Sequence, residues 1–350
     1  MLRRYVAVVT LGALACLVGC AEEDATPGPE QPPVYSDLVD SAGLVWAIGT
    51  MGGLKAIDMA DTVLRAVDLG RMIYDFLAVS GPHIWVAGGT GSTPMQRVTL
   101  LSDTTDTLET TSNAVTAAIG RPTGLDAAGG RVWAIGRGTK ALFGIDTAAN
   151  TVDLQVVFTG VPDSGGCVAL APFGPAMYVL STNPFVVHAV DMASGTLSWQ
   201  LALDSVADST GKASMGVAGD EVYVYVASRR ELVAVSVSGR SVVRRVTVSG
   251  VSRSDEMMTA SSAGVFVTQR ASTMHSLLAV SAQTGDTLGH YDLADRTESL
   301  SAVQAFGQRL LLVLIDSSTG QNSVLELWPS DMSLLHRVNH VYVTRVAVQR

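Results

Sequence analysis

The sequence predicts an all-β fold, a seven-bladed β-propeller with four antiparallel strands per blade. Three observations carry this expectation. A strand-like run with one aromatic or large apolar residue in register recurs seven times, at positions 46, 85, 133, 178, 223, 266 and 311. Successive copies lie 39, 48, 45, 45, 43 and 45 residues apart, the length of a four-stranded blade. No long stretch shows the i, i+3, i+4, i+7 apolar spacing of a helix.

The registered runs read Val45-Trp46-Ala47-Ile48, Ile84-Trp85-Val86-Ala87, Val132-Trp133-Ala134-Ile135, Met177-Tyr178-Val179-Leu180, Val222-Tyr223-Val224-Tyr225, Val265-Phe266-Val267-Thr268 and Leu310-Leu311-Leu312-Val313. A small-residue strand ending in Gly precedes the run, as in Leu77-Ala78-Val79-Ser80-Gly81 or Val217-Ala218-Gly219. A Gly/Ser/Thr-rich loop follows it, then a third strand such as Leu232-Val233-Ala234-Val235. The fourth strand alternates with period 2, as in Val242-Val243-Arg244-Arg245-Val246-Thr247-Val248. Short strands between Gly, Asn, Asp and Ser turns are hairpins. Seven such units fill residues 35–350. A pair of β-sandwiches would not keep one register seven times, and the rungs of a parallel β-helix are shorter.

Two segments fit the innermost strand of the first blade, 38–43 (LVDSAG) and 343–348 (VTRVAV). The C-terminal one is favoured, because a last strand that completes the first blade leaves no free sheet edge.

Composition agrees. The 350 residues are 47% hydrophobic and 16% charged, against about 25% charged in an average globular domain. A chain this apolar can offset its ordering entropy, which excludes disorder. Scarce Glu, Lys and heptads exclude a long coiled coil. Only Lys55, Lys140 and Lys212 among the 23 basic residues are Lys.

The first residues read as an address. Met1-Leu2-Arg3-Arg4 is a short basic start, and the apolar run from Tyr5 to Val18 is too short for a comfortable membrane span but fits a secretory signal. It closes on Leu17-Val18-Gly19-Cys20, which resembles the lipobox of bacterial lipoproteins. That resemblance implies a signal peptide over 1–19, cleavage before Cys20, and acylation of Cys20. It also implies a durable hold on one leaflet, since stable anchoring takes about two acyl chains. Ala21 after the Cys resembles the signal for outer-membrane sorting. Residues 20–34, rich in Pro and acidic side chains, form a tether of on the order of 50 Å at full stretch.

Cleavage removes Arg3 and Arg4, so the formal charge falls from −9 to −11. No basic face is available to displace counterions, and a nucleic-acid partner is not expected. With Cys16 removed and Cys20 lipidated, Cys167 stands alone. No disulfide is expected despite an oxidising compartment, and Cys167 reads as a buried small hydrophobe.

The repeats resemble the YVTN and quinoprotein-like propeller repeats. The wording is clearest where Val132-Trp133-Ala134-Ile135-Gly136 leads to Gly144-Ile145-Asp146-Thr147-Ala148-Ala149-Asn150-Thr151-Val152, and again at Ala189-Val190-Asp191-Met192-Ala193-Ser194-Gly195-Thr196-Leu197. The resemblance spans nearly the whole mature chain. It implies the propeller fold and no particular activity. Asp58, Asp146 and Asp191 after the third strands are expected to accept turn amides rather than hold metal. The seventh unit departs most, with Trp328-Pro329 at that point.

Motifs for chemistry are scarce. The six His (His83, His188, His275, His290, His336, His340) form no HExxH pair, and Asp103-Thr104-Thr105-Asp106 lacks calcium-ligand spacing. Gly88-Gly89-Thr90-Gly91-Ser92-Thr93 links two strands, whereas a phosphate loop must open a helix. No G-x-S-x-G nucleophile elbow precedes a helix. Quinone enzymes with this repeat style carry larger eight-bladed domains and usually an adjacent Cys pair, so no cofactor is expected.

The remaining candidate site is the mouth of the central channel, lined by loops that join second to third strands and successive blades. These hold Arg137, Lys140, Arg229, Arg230, Arg253, Arg270 and Arg296, with Asp255, Glu256, Glu298 and Asp316. Arg gathered at one rim suits an anionic ligand or an acidic partner surface. A generic solvated face explains the same residues. The function expected is a lipid-anchored, monomeric binding or scaffold module for an envelope protein or small ligand, on the outer membrane facing the periplasm or the cell surface. The alternative is a propeller lyase or hydrolase working in the channel mouth.

Overall fold

The computed structural model describes residues 45–348 apart from 50–52, 60–61, 70–73, 89–94, 101–105, 111–112, 121, 137–138, 162–165, 204–212, 250–256, 271–274, 294–297, 307, 317, 320–321, 340 and 342. The signal, Cys20 and the tether lie outside the described residues.

Seven four-stranded antiparallel sheets make a seven-bladed β-propeller. Blade 2 runs β4 (Phe76–Ser80), β5 (His83–Ala87), β6 (Gln96–Leu100) and β7 (Asp106–Thr110). Blade 3 comprises β8 (Pro122–Ala128) to β11 (Thr151–Val157), and blade 4 β12 (Cys167–Phe173) to β15 (Thr196–Ala202). Blade 5 spans β16 (Ala213–Ala218) to β19 (Ser241–Thr247), blade 6 β20 (Met258–Ser261) to β23 (Thr287–Asp292), and blade 7 β24 (Glu298–Phe306) to β27 (Leu334–Val338). Blade 1 joins both ends of the chain. Its inner strand is β28 (Arg345–Val348), followed outward by β1 (Val45–Ile48), β2 (Gly53–Asp58) and β3 (Thr62–Asp68). The first strand of each blade lies innermost, and inner strands of neighbouring blades adjoin around a closed ring.

The C-terminal strand therefore closes the ring, as the edge argument anticipates. Val45 to Ile48 pair antiparallel with Val348 to Arg345. The approach to β28 is tied down on both sides. Lys55 Nζ donates to Val341 O at 2.6 Å, Thr344 N to Ile48 O at 2.6 Å, and Ser301 Oγ to Thr344 O at 3.0 Å.

The registered position falls in the second strand of every blade, and the packing explains why it repeats. The buried core is divided into seven wedges, each between adjacent blades. Trp46, Trp85, Trp133, Tyr178, Tyr223, Phe266 and Leu311 each pack onto the following blade, all at most 8% exposed. Opposite them on the third strand stand Ala56, Gly144, Ala189, Ala234 and Ala279 in five blades. A small residue there leaves room for the ring beside it. In blade 3 a Cβ on Gly144 would meet the Trp133 ring at 3.2 Å.

Blades 2 and 7 break this rule with charge. In blade 2 Arg97 faces Trp85 and donates Nη1 to Thr147 O of blade 3 at 2.6 Å. In blade 7 the smaller Leu311 faces Glu326, which is 2% exposed and held by Arg309 Nη1 at 2.5 Å and His336 Nδ1 at 2.8 Å. Arginine bridges other blade boundaries too. Arg131 donates to Met192 O, Arg244 Nε to Ala282 O at 3.1 Å, and Arg245 to Leu203 O. A guanidinium presents several fixed donors and can satisfy a neighbouring carbonyl while keeping its own ion pair. That accounts for part of the excess of Arg over Lys.

One element is not expected from the sequence. The connection from blade 2 to blade 3 contains a seven-residue helix, α1 (Asn113–Ile119), with Val115 and Ile119 buried in the wedge between those blades. It ends at Gly120, whose φ of 64° is the left-handed conformation that stops a helix. At this length its i, i+4 pair is too little to stand out as a period.

Candidate functional site

A four-stranded blade pairs its inner strand on one side only, so seven free strand edges converge on the axis. Side chains of neighbouring inner strands satisfy part of that backbone, as where Thr123 Oγ1 donates to Cys167 O at 2.8 Å and Ala305 N to Thr259 Oγ1 at 3.0 Å, and water or a ligand can serve the rest. Between them lies a cavity of about 410 Å³, lined by the inner strands of all seven blades. A second cavity of about 440 Å³ shares Asp126, Leu170, Met215, Met258, Val303 and Gln304 with it and extends the channel towards the turns between first and second strands.

The polar side chains of the lining fall on two levels. At the level of the registered position the inner strands contribute Ala347, Ala78, Asp126, Ala171, Gly216, Thr259 and Gln304. Four are small, and Asp126, Thr259 and Gln304 are polar. Two residues nearer the other mouth are Arg345 on β28, paired with Ile48, and Ser214 on β16, paired with Tyr225. Two polar atoms of this lining, Ser214 Oγ and Gln304 Oε1, are buried with no hydrogen-bond partner. Buried polar atoms are rarely left so, because each forfeits its hydration.

Arg345 dominates the electrostatics. Its Nε donates to Asp75 O at 3.0 Å, and its Nη1 to Ser301 O at 2.6 Å, Thr344 O at 2.9 Å and Ser301 Oγ at 3.1 Å. One side chain thus joins blades 1, 2 and 7 at the seam where the ring closes. Burial pulls its pKa below the ordinary arginine value, partly offset by the Asp75 charge at longer range. Among the described residues no carboxylate lies within ion-pair distance of the guanidinium, and Nη2 has no acceptor.

The rim residues expected from the sequence are placed differently from this lining. Lys140 opens β10 (Ala141–Asp146) on blade 3, half-buried, with φ 49°. Arg229 and Arg230 are exposed in the turn between β17 (Glu221–Val226) and β18 (Glu231–Ser236) of blade 5, Arg229 lying 3.8 Å from Glu231. None of these three lines the cavity. Arg270 ends β21 (Gly264–Arg270), and its side chain is outside the described residues, as are Arg137, Arg253 and Arg296. Sequence reasoning alone does not single out Arg345, Asp126 or Gln304. Their only signal is a polar residue inside a small-residue inner strand.

Two of the three turn aspartates, Asp146 and Asp191, behave as expected. Asp146 Oδ1 accepts Ala148 N at 2.8 Å and Ala149 N at 2.7 Å, and Asp191 Oδ1 accepts Ser194 N at 2.8 Å. These bonds hold both carboxyls below the usual carboxylate range. Cys167 is 2% exposed, and burial pushes its thiol up to about 12.

Two hydroxyls stand beside an imidazole among the described residues, Thr99 Oγ1 at 3.1 Å from His83 Nδ1 across β5 and β6, and a buried serine on blade 4. Ser181 Oγ and His188 Nε2 are 2.9 Å apart, but the two residues are 0% and 1% exposed. Phe158 stacks on the imidazole at 4.2 Å, and burial drives its pKa down to about 4. A substrate cannot reach this pair, which works as packing. Among the described residues no three His, Cys, Asp or Glu converge as metal ligands.

No protein-family model matches the chain, and neither does any curated protein sequence. Solved structures with the same architecture do. A candidate 6-phosphogluconolactonase from Bacteroides uniformis aligns with a TM-score of 0.61 at 14% identity, over 88% of this chain and 100% of that one. Apo AztD from Citrobacter koseri aligns at 0.60 and 9% identity, over 88% and 98%. The dihydro-heme d1 dehydrogenase NirN, in complex with DHE, aligns at 0.54 and 11% identity, over 91% and 76%. At such identities the likeness is one of fold.

Proposed function

We propose that this chain is an exported, lipid-anchored binding module of the bacterial cell envelope, engaging its ligand or protein partner at the central channel. The observation that supports it most is the cavity of about 410 Å³, a size typical of ligand sites, where a half-buried guanidinium and two polar atoms without a partner among the described residues meet the inner strands of seven blades. Among the described residues the ionisable groups of that lining are Asp75, Asp126 and Arg345, which bind by charge and hydrogen bonding. The anchoring rests on the order of basic start, apolar run and Leu17-Val18-Gly19-Cys20, with lipid carried by Cys20 and the outer membrane as destination. A closed ring of rigid blades carries rim loops that can vary without cost to the core, which suits a docking platform.

The test pairs two readouts. The mass of the mature N-terminus should place an acylated Cys20 first, and Cys20→Ser should shift the protein from the membrane to the soluble fraction. Pull-down from detergent-solubilised membranes, with the Cys20→Ser protein as control, should recover a partner or small molecule that depends on the channel residues. A Cys20→Ser protein that still fractionates with membranes would overturn the anchor. Recovery unaffected by channel substitutions would overturn the site.

A further inference from the structure

The three nitrogens of the Arg345 guanidinium are used unequally. Nε donates to Asp75 O, and Nη1 to Ser301 O, Ser301 Oγ and Thr344 O, all of them neutral acceptors, while Nη2 has no partner. Nη2 is not among the buried polar atoms that lack a partner, so it is accessible, and Arg345 lines the cavity of about 410 Å³. A cation fixed by bonds to blades 1, 2 and 7 therefore keeps one amino group open to the channel. Burial pulls its pKa down, as it does for a charge short of hydration, and a counter-anion relieves that cost.

The rest of the lining limits what that anion can be. Arg345 is the sole cation of the lining among the described residues, and the other ionisable groups, Asp75 and Asp126, have interactions of their own. One negative charge is thus the most a ligand can bring at a gain, because a second would meet two carboxylates and no further cation. A lone amino group also suits a carboxylate better than a phosphate, whose three oxygens call for several donors. Around the guanidinium the wall is apolar. Phe76, Leu125, Val168, Leu170, Met257 and Val303 all line the cavity half-buried, and so keep surface free for a ligand. We infer, on the reading that the channel is the binding site, that its ligand is a monocarboxylate with an apolar body. The carboxylate accepts from Arg345 Nη2, and the body lies against those half-buried side chains.

Hexanoate, butyrate, hexanamide, hexylamine and inorganic phosphate are titrated by calorimetry at low salt into the full-length protein in lipid nanodiscs, with empty nanodiscs as the blank. Hexanoate should bind one per chain. Butyrate should bind about tenfold more weakly, since each methylene withdrawn from water is worth a factor of about three to four. Hexanamide, hexylamine and phosphate should each bind about tenfold more weakly than hexanoate, or less well still. Arg345→Gln should bring hexanoate down to the level of hexanamide, but it also cuts bonds at the ring seam. Asp75→Asn has an effect that damage to the fold cannot imitate. It keeps the backbone carbonyl that holds Nε and removes a negative charge near the guanidinium, so hexanoate should bind about threefold more tightly with hexanamide unchanged. Hexanamide, hexylamine or phosphate equal to hexanoate on the unaltered protein overturns the inference, as does hexanoate binding that neither substitution alters. No saturable binding of hexanoate overturns it too. If a partner is still recovered from membranes through the channel residues, the binding-module reading survives that failure.

Discussion

Deleting residues 344–350 should open the ring, and the size of the effect follows from what β28 does. The deletion removes the inner strand of blade 1, four residues paired with Val45 to Ile48. It exposes the wedge between blades 7 and 1, where Val346 packs at 9% exposed, and the wedge between blades 1 and 2, where Ala347 packs at 7% beside Trp46. Losing the burial of one Val and one Ala costs about 2–4 kcal/mol. The lost ladder bonds, with those from Thr344 and Arg345, add about 3–5 kcal/mol at roughly 0.5–1.5 each. A total of about 5–9 kcal/mol is comparable to the entire stability of an ordinary domain. Even if the remaining blades hold together, β1 becomes an unpaired edge ready to template another chain. Light scattering after size exclusion should show oligomers, and thermal melting by circular dichroism a fall of about 10 °C or more. A synthetic peptide covering residues 341–350, added in trans, should restore part of the melting temperature. A truncated protein that stays monomeric and melts where the full chain does would refute the closure argument.

Further outcomes follow from single residues. Trp133→Ala should cost about 3–5 kcal/mol in urea unfolding, since it empties the wedge between blades 3 and 4 and loses the indole bond to Ala128 O at 3.0 Å. His188 is neutral when folded, with a pKa near 4 against 6.5 unfolded, so the unfolded chain binds the extra proton between those values. Stability should therefore be full above about pH 6.5 and fall as the pH drops towards 4, by up to about 3 kcal/mol. His188→Gln should flatten that slope; an unchanged slope would show that the imidazole is not its source. The carboxyls of Asp146 and Asp191, held low by turn amides, lose their contribution only below the ordinary carboxylate range, outside this window. Cys167, with a thiol near 12 and 2% exposure, should resist iodoacetamide at pH 8 in the folded protein and react fully in denaturant, read from the mass of its peptide.

Some of this was open to inspection in the primary structure, for a physical reason. A blade is a local object. Its strands are consecutive, its turns demand Gly, Asn or Asp, and its second strand must offer one large apolar residue to the next blade. Local demands repeated seven times leave a period, and so the registered positions, the blade count, the closing C-terminal strand and the turn role of Asp146 and Asp191 were readable before any fold was drawn. The helix over Asn113–Ile119 was not, because two buried residues make no period.

The channel belongs to the other category. Asp126, Ser214, Gln304 and Arg345 lie on four different blades, up to about two hundred residues apart in the chain, and nothing in their neighbourhoods sets them apart from other polar residues in small-residue strands. They meet only because closing the ring turns seven strand edges towards one axis. The same closure makes Arg97, Arg131, Arg244 and Arg245 staples between blades, a use that composition shows as a surplus and cannot assign. Periodic, near-neighbour constraints write themselves into a sequence; convergence at an axis is decided by the ring as a whole.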